Sequence, residues 1–498
     1  MNPIRRLAGQ TLIYGLSSIV GRFLNWLLVP VYTNIFMPAE YGVVTEIYAY
    51  VTFLMVVMTY GMETGFFRFA GSEKDINRVY STSVFSLFTS STLFIILLWI
   101  FSQPVANTLK YSGHPEYIIW LALIVALDAF TSIPFAKLRH QNRPVRFMAL
   151  KFINIFTNIG ANLFFLLLCP WLIKTHHLSF IEAIYSENIG VGYIFISNLI
   201  ASLVTLIFLI PDILRNSALR SVDFRLLRQM LSYSLPLLIV GFAGMINETL
   251  DRILLKYLSP ASVNAMEQVG IYGANYKLAI LMTMFVQAFR YAAEPFFFSH
   301  AKEQNSKQIY ADVLKYFVIC CLLIFLGVML YLDIVKYFIG KNYHEGLKIV
   351  PVLLFANLFL GIIYNLSFWY KLNNMTRYGA YITIFGAAVT LIANFILIPL
   401  LGYVGSAWAT FICYFLMMIV SWYYGNKFYP VRYDMRSIGI YLAVSLGLYA
   451  VSMLARTSMI VVNLLINTAL MFVFVAFVLK RENLIKWFVR KKDISPGH

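Results

Sequence analysis

The chain has 498 residues, of which 60% are hydrophobic and only 12% are charged, and its mean hydropathy is +0.75. This composition excludes a soluble globular protein, because such proteins carry about twice that share of charged residues. The formal net charge of +17 would favour a nucleic-acid partner if the basic residues formed one patch, but they recur between apolar stretches along the whole chain.

The apolar stretches are long enough to cross a bilayer, which needs about 20 apolar residues per helix. They predict an all-α polytopic membrane protein with fourteen transmembrane helices. In chain order the predicted spans are residues 10–35, 42–67, 81–103, 115–136, 147–171, 189–211, 231–255, 270–297, 314–335, 347–370, 378–401, 403–426, 436–455 and 459–479.

The loops between these spans alternate in charge. Most of the 39 Lys and Arg residues fall in every second loop and at the two ends of the chain, for example within residues 137–146 and 215–228. Because loops rich in Lys and Arg stay in the cytoplasm, both termini are expected to be cytoplasmic. Orientation and attraction to anionic lipid headgroups then account for the positive charge, and no nucleic-acid partner is expected.

Cysteine and histidine residues indicate no chemical site. The four cysteines lie in or at the edges of spans, and the seven histidines are scattered, so neither a disulfide framework nor a metal-ligand spacing is present. There is no glycine-rich phosphate loop, and the longest outer loop, residues 173–188, is too short for a catalytic domain. We therefore expect no metal and no enzyme activity, which disfavours a membrane-bound polysaccharide polymerase.

The first and seventh spans carry matching sets of small and polar residues on one helix face, at spacing i, i+3, i+7 and i+10. The two sets are Gly15, Ser18, Arg22 and Asn25, and Gly241, Gly244, Glu248 and Asp251. The second and eighth spans also open alike, at Tyr41-Gly42-Val43 and Val269-Gly270-Ile271.

The match predicts two repeats. Since each repeat has six spans, both start from the cytoplasm and are related by a pseudo-twofold axis along the membrane normal, a layout found in transporters. The predicted division is a first lobe at residues 1–225, a second lobe at 226–430, and two extra helices with a basic cytoplasmic tail at 431–498.

Several short motifs carry a family resemblance in order along the chain. They are Met37-Pro38-Ala39-Glu40-Tyr41-Gly42, Ser234-Leu235-Pro236, Asp251-Arg252, Val269-Gly270-Ile271-Tyr272 and the run from Asn394 to Thr410. Over its whole length the chain resembles the polysaccharide transporter branch of the multidrug/oligosaccharidyl-lipid/polysaccharide exporter superfamily, and more distantly the lipid II flippases.

This resemblance implies a two-lobed, V-shaped bundle in a bacterial plasma (inner) membrane. Its implied activity is the transfer of a lipid-linked oligosaccharide from the cytoplasmic to the outer leaflet by alternating access. The implied partners are a polyprenyl-diphosphate oligosaccharide, membrane lipids, and the polymerase and chain-length machinery of polysaccharide assembly.

Charged residues inside spans are costly in a bilayer, so each is expected to face a cavity or a partner. We expect Arg22 and Asn25 of the first span, with Lys277 and Arg290 of the eighth, to bind the diphosphate and sugar. A guanidinium offers planar, paired donors to phosphate oxygens. The alternatives are an internal ion pair for Arg22 and a local pair with Glu294 for Arg290.

Four acidic residues within spans are candidates for coupling transport to Na⁺ or H⁺, and no other cofactor is expected. They are Glu63, Asp128, Glu248 and Asp251. Two alternatives are structural: Asp128 could pair with Arg22, and Glu248 could pair with Arg252 one helical turn away.

Three other functions remain open. One is a cation-coupled multidrug exporter of the same superfamily, although those proteins have twelve helices and this chain adds two more, with Arg22 in mid-span. A lipid II flippase is less favoured, because the second span carries Glu46 and Glu63 where lipid II flippases have basic residues. The third is a scaffold for a polysaccharide-assembly complex.

Overall fold

A computed structural model describes residues 19–73, 75–176, 179–216, 221–300 and 303–482, and within these ranges the chain is helical and contains no strand. In the described part, twelve helices are long and apolar enough to cross a membrane. A bent pair, Ala265–Leu278 and Ile280–Phe298, makes a thirteenth span. The protein is therefore an all-α polytopic membrane protein, as predicted.

The helices are numbered in chain order: α2 to α14 are the thirteen spans, and α1 is the helical segment described from residue 19 onward. They are 19–35 (α1), Pro38–Ala70 (α2), Ile76–Ile100 (α3), Pro115–His140 (α4), Pro144–Thr175 (α5), Gly192–Arg215 (α6), Phe224–Leu258 (α7), Ala265–Leu278 with Ile280–Phe298 (α8), Ser306–Leu330 (α9), Lys341–Leu372 (α10), Thr376–Leu401 (α11), Tyr403–Phe428 (α12), Met435–Leu454 (α13) and Ile460–Arg481 (α14).

The predicted spans from the second to the fourteenth are confirmed in order and position. The start of the first span, with Gly15 and Ser18, lies outside the described residues, as do residues 217–220 of the basic loop before α7 and the basic tail beyond residue 482.

Local sequence explains where several helices begin and bend. Asp75 and Asp223 precede α3 and α7, and their carboxylates accept hydrogen bonds from backbone amides of the first turn. Helix α2 is interrupted at Tyr60 and Gly61, which both have positive φ, 33° and 69°. Glycine adopts that conformation without strain, whereas tyrosine rarely does. The two segments of α8 meet at an angle of 52°.

The chain forms two compact units, Met1–Ala274 with Arg377–Cys413, and Asn275–Thr376 with Tyr414–His498. This grouping differs from the sequence-based division at residues 225 and 430, because α7 packs extensively against α2 and joins the first unit. The division into lobes by repeat stays a prediction.

Each unit has its own apolar core. In the first, buried side chains from α2, α3, α4 and α7 meet around Phe66, Tyr80 and Met230. In the second, a smaller core from α8, α9 and α10 centres on Phe297 and Phe368. The polar groups described below therefore sit in rigid helical surroundings.

Candidate functional site

Arg22 and Asn25 lie on one exposed face of α1. Among the described residues, Arg22 has no ion-pair or hydrogen-bond partner, and Asn25 Oδ1 accepts from Asn158 Nδ2 of α5 at 3.0 Å. The internal pair considered for Arg22 is thus not formed: Asp128 accepts from Ser202 instead, at 2.7 Å. Since an unpaired guanidinium within a span needs water around it, this face of α1 fits a hydrated space.

The two predicted cations of α8 belong to the second unit. Lys277 is half-buried just before the helix bend, and Arg290 is exposed. The Arg290 guanidinium lies 4.9 Å from the ring centre of Tyr364, within cation–π range. The local pair of Arg290 with Glu294 is not formed, because Glu294 pairs with Lys371 at 2.9 Å. Arg290 therefore keeps a charge that no described carboxylate neutralises.

Two of the predicted coupling acids, Glu63 and Asp128, have neighbours on α4 and α6. Glu63 forms an ion pair with Arg139 of α4, and both side chains are partly exposed. An exposed pair of this kind contributes little stability, and it leaves Glu63 without the buried setting of a coupling site. Asp128 is held by the hydroxyl of Ser202 on α6.

The other two acids, Glu248 and Asp251, differ sharply although both lie on α7. Glu248 is exposed, and its backbone carbonyl accepts from Arg252 Nη1 at 2.8 Å. The predicted local ion pair of Glu248 with Arg252 is therefore not formed, and the Arg252 guanidinium instead lies 3.7 Å from the carboxylate of Asp251. Asp251 is buried, with 3% of its surface exposed.

Asp251 contacts Tyr272 and Thr410. We call these three residues, together with Asn394 and Ser406, which lie one helical turn from contacting residues of α11 and α12, the Asp251 pocket. The carboxylate accepts from the hydroxyl of Tyr272 on α8 and from the backbone N–H of Arg252, the latter at 2.9 Å. The Thr410 hydroxyl on α12 lies 3.4 Å from the carboxylate and 3.1 Å from the Ser406 carbonyl. Neutral donors and a guanidinium at 3.7 Å compensate a buried negative charge only partly.

Two further oxygen atoms of the pocket are buried without a hydrogen-bond partner among the described residues, Asn394 Oδ1 on α11 and Ser406 Oγ on α12. One turn before Asn394, Thr390 donates to Asn247 of α7 at 3.2 Å, which places Asn394 at the level of Asp251. Carboxylate, amide and hydroxyl oxygens are the ligands that hard cations take.

The described residues contain no group of three or more His, Cys, Asp or Glu side chains suited to a metal ion. The Asp251 pocket has a single carboxylate, so its chemistry favours a monovalent cation or a proton over a divalent metal. Sequence analysis selected Asp251 but missed its neutral neighbours, although Asn394 and Thr410 are the first and last residues of one of the family motifs.

A second buried carboxylate, Glu46, joins α2 to α7 on the predicted outer side. Glu46 Oε2 and Lys256 Nζ are 2.8 Å apart, and their side chains are 0% and 4% exposed. Tyr50 donates to Glu46 at 2.9 Å, Tyr111 also donates, and Lys256 donates to the Leu109 carbonyl at 2.6 Å. Both the carboxylate and the ammonium group therefore form additional hydrogen bonds, as a buried ion pair requires.

Tyr111 belongs to the loop before α4 and keeps its proton. Burial and the Glu46 carboxylate both raise the pKa of Tyr111, so its hydroxyl acts as a donor. Sequence analysis recognised Glu46 as an acid within a span but missed Lys256, which lies one residue beyond the predicted end of the seventh span. The rule that a span carboxylate needs a partner was the signal available.

Beside this ion pair, α2 and α8 approach backbone to backbone. A Cβ atom on Gly270 would overlap the carbonyl oxygen of Pro38, and one on Gly42 would overlap that of Met266. Gly42 and Gly270 are the matching glycines of the two predicted repeats, and only glycine allows helices so close. We call Gly42, Glu46, Lys256 and Gly270 the outer contact.

Residues 7–300 match the family model described as "Polysaccharide biosynthesis protein". The chain belongs to this family. Comparison with curated protein sequences gives no significant match. The family expected from the sequence motifs is thereby confirmed, over more than half of the chain.

Solved structures similar to this chain include a multidrug transporter and a lipid flippase. A multidrug resistance MATE family transporter of the MOP superfamily, inward-facing, gives a TM-score of 0.64 at 14% identity, covering 84% of this chain and 94% of that one. The lipid II flippase MurJ, inward closed, gives 0.66 at 13% identity, covering 94% and 99%. At these identities the likeness shows the shared fold, which is that of membrane transporters.

Proposed function

We propose that this polysaccharide biosynthesis protein is a flippase that moves a polyprenyl-diphosphate-linked oligosaccharide from the cytoplasmic to the outer leaflet. The substrate class is an O-antigen, capsule or exopolysaccharide repeat unit. The exposed Arg22–Asn25 face of α1 carries the proposal, because it offers charge-assisted donors to a diphosphate within the membrane span. Lys277 and Arg290 of α8 supply further positive charge.

Transport requires a hydrated route for the headgroup alone, since the polyprenyl tail is as apolar as the lipid and stays in it. Sugar hydroxyls and phosphates need hydrogen-bond partners once they leave water. Under alternating access, the outer contact closes the outer side while the headgroup enters from the cytoplasm, and it opens for release. A buried ion pair suits a reversible closure, because both charges regain water when it opens.

The Asp251 pocket supplies the coupling step of this proposal. A Na⁺ ion there would take oxygen ligands from Asp251, Asn394, Ser406 and Thr410, and a proton would neutralise Asp251 directly. Either cation removes a negative charge from the interface of α7, α8, α11 and α12, and so changes how these helices pack. Cation binding on one side of the membrane and release on the other would then drive the cycle.

The decisive experiment is depletion of the protein in cells, followed by mass spectrometry of lipid-linked saccharides in each leaflet. We expect a polyprenyl-diphosphate oligosaccharide to accumulate in the cytoplasmic leaflet. Wild type and Arg22→Lys should relieve the accumulation fully and partly, respectively, and Arg22→Ala should not relieve it. Normal arrival of the saccharide in the outer leaflet after depletion would refute the flippase function. Accumulation of lipid II would instead identify lipid II as the substrate.

A cation-coupled drug exporter is the second candidate, favoured by one observation. Asp251 is a buried acid, and the chain shares its fold with a multidrug resistance transporter. Resistance of the same cells to organic cations tests it. Resistance that depends on Asp251, together with unchanged polysaccharide, would select the exporter.

A further inference from the structure

Helix α5 has one polar and one apolar face near its middle. The polar face carries asparagines one turn apart, and the apolar face exposes large side chains typical of lipid contact. The asparagines are Asn154, Asn158 and Asn162, and the exposed apolar residues are Phe156, Leu163 and Leu167. The polar face is directed at α1 and α6, where the asparagines find their partners.

The asparagines and α1 form a chain of hydrogen bonds with a fixed direction. Asn162 Nδ2 donates to the backbone carbonyl of Asn158 at 2.8 Å. Because a carbonyl can only accept, this contact fixes which amide atom of Asn162 is which. Asn162 Oδ1 therefore accepts from the Tyr32 hydroxyl at 3.0 Å, and Asn162 Nδ2 also donates to Asn158 Oδ1 at 3.1 Å.

The same donor-to-acceptor direction continues from Asn158 to the exposed Asn25. With Asn158 Oδ1 turned toward Asn162, the nitrogen of the same amide faces α1 and donates to Asn25 Oδ1 at 3.0 Å. Every link thus runs from the buried Tyr32 to the exposed Asn25. The acceptor of Asn25 is directed at α5, and its two N–H groups are left for the exposed side.

The exposed face of α1 consequently offers donors. Arg22, one turn before Asn25, has five N–H donors and no acceptor. A ligand group that only accepts, such as a phosphate, diphosphate or carboxylate, complements both residues, and its charge strengthens each hydrogen bond. A sugar hydroxyl carries no charge and finds no acceptor on the described part of this face, so its hydrogen bonds here are weaker than those of an anion.

We infer that Tyr32, Asn162 and Asn158 form a relay that orients Asn25 and makes the Arg22 face selective for the anionic end of a substrate. These three are positioning residues, because they act through Asn25. The inference rests on the proposed function for its natural ligand, and it deepens that function by assigning the anionic group, not the sugars, to α1.

The test is Asn158→Asp in the full-length protein in nanodiscs. An Asp at this position still accepts from Asn162, but its second oxygen faces Asn25 and forces that amide to turn its own oxygen outward. The matched control is Asn154→Asp, which adds the same charge to the same helix face one turn away, outside the relay. The probes are inorganic pyrophosphate, undecaprenyl diphosphate and uncharged undecaprenol, measured by their dissociation constants.

We expect Asn158→Asp to raise the dissociation constants of both diphosphate probes about tenfold, which corresponds to the loss of one charge-assisted hydrogen bond. Undecaprenol should bind unchanged, and Asn154→Asp should weaken the diphosphates less than about threefold, by long-range charge alone. Tyr32→Phe adds no charge and removes the first donor, so a smaller loss in the same direction is expected from it. Tyr32→Phe can therefore test the relay even if Asn158→Asp does not fold.

Equal losses in the two Asp variants, wild-type selectivity in Asn158→Asp, or absence of pyrophosphate binding by wild type would each overturn the relay. The proposed function fails separately. If the relay variants change pyrophosphate binding as expected while depletion leaves saccharide transfer intact, the relay stands and the flippase does not. If wild type restores transfer but Asn158→Asp keeps its selectivity, the flippase stands and the relay does not.

Discussion

Glu46 and Asp251 are buried carboxylates in the same compact unit, and they are compensated in opposite ways. Glu46 has a full positive charge, Lys256, at 2.8 Å, together with tyrosine donors. Asp251 has neutral hydrogen-bond donors, the Tyr272 hydroxyl and the backbone N–H of Arg252. Both carboxylates thus have a cation in the neighbourhood, but the one beside Glu46 is in hydrogen-bond contact, whereas the Arg252 guanidinium lies 3.7 Å from Asp251.

This difference separates two roles that look alike in a sequence. A carboxylate that forms an ion pair with a lysine of the protein joins two helices, and because its charge is already neutralised it does not attract a mobile ion. A carboxylate whose hydrogen-bond donors are neutral and whose cationic neighbour stands farther off gains more from a mobile cation or a proton. Burial of an acid within a span is therefore a weaker functional signal than the charge of its neighbours.

The largest effect is expected at the outer contact. Lys256→Met should lower the free energy of unfolding by about 3–5 kcal/mol, because it leaves Glu46 buried without its counter-charge. Thermal unfolding of the purified protein in detergent measures this. The double variant Glu46→Gln with Lys256→Met removes both charges and should recover most of the loss. A double variant as unstable as the single one would show that the charge pair is not what matters.

The second prediction tests the Asp251 pocket by ligand stabilisation. Replacing choline chloride with sodium chloride should stabilise the wild type by about 2.7 kcal/mol when Na⁺ is at 100 times its dissociation constant. Asp251→Asn and Asn394→Leu should abolish the shift, whereas Glu46→Gln should keep it. A sodium shift that survives in Asp251→Asn would place the ion elsewhere, and a shift with pH alone would assign the coupling to protons.

The third prediction concerns the close approach of α2 and α8. Gly270→Ala should destabilise the protein by about 1–3 kcal/mol, because the new methyl group meets the backbone of Pro38 and the helices must separate. Gly244→Ala on α7 is the control, since no atom lies within 4 Å of its added Cβ. It should be neutral or stabilise by up to about 1 kcal/mol. Equal thermal unfolding of the two variants would argue against a tight contact at Gly270.

Sequence predicted the helices well because hydropathy reports the solvent of each segment, which is a local property. It predicted partners poorly, because pairing depends on which helices meet in three dimensions. Lys256 was read as a loop residue, yet α7 continues to Leu258 and buries it. The repeat match of Gly42 with Gly270 pointed to equivalent positions, and the structure adds that these positions touch.

The candidate site residues show the same contrast between local properties, which a sequence reveals, and contacts, which it does not. Arg22, Asn25, Lys277 and Arg290 were selected as polar residues within spans, and their role in binding substrate stays a prediction. The asparagines of α5 recur every four residues and were visible in the sequence. They were passed over because the sequence argument followed charged residues within spans, and the direction of the asparagine hydrogen bonds exists only in the folded chain.

The smallest effect is expected at Glu482, a carboxylate beyond the end of α14 in the second unit. Lys315 Nζ lies 2.7 Å and the Tyr441 hydroxyl 2.5 Å from it. Burial alone would raise the pKa of Glu482, but hydrogen bonds from Lys315 and Tyr441 outweigh burial and lower the pKa below its ordinary value.

A carboxyl group whose pKa is lower in the folded than in the unfolded protein stabilises the fold above its unfolded pKa, about 4.3 for glutamate. That contribution is lost as the pH falls through the lower, folded value. Glu482→Gln should therefore cost about 1 kcal/mol near pH 7 and nothing at a pH below both values, as measured by thermal unfolding across pH. A cost that is the same at both ends of the range would mean that Glu482 contributes by packing and not by its charge, unlike Glu46 and Asp251.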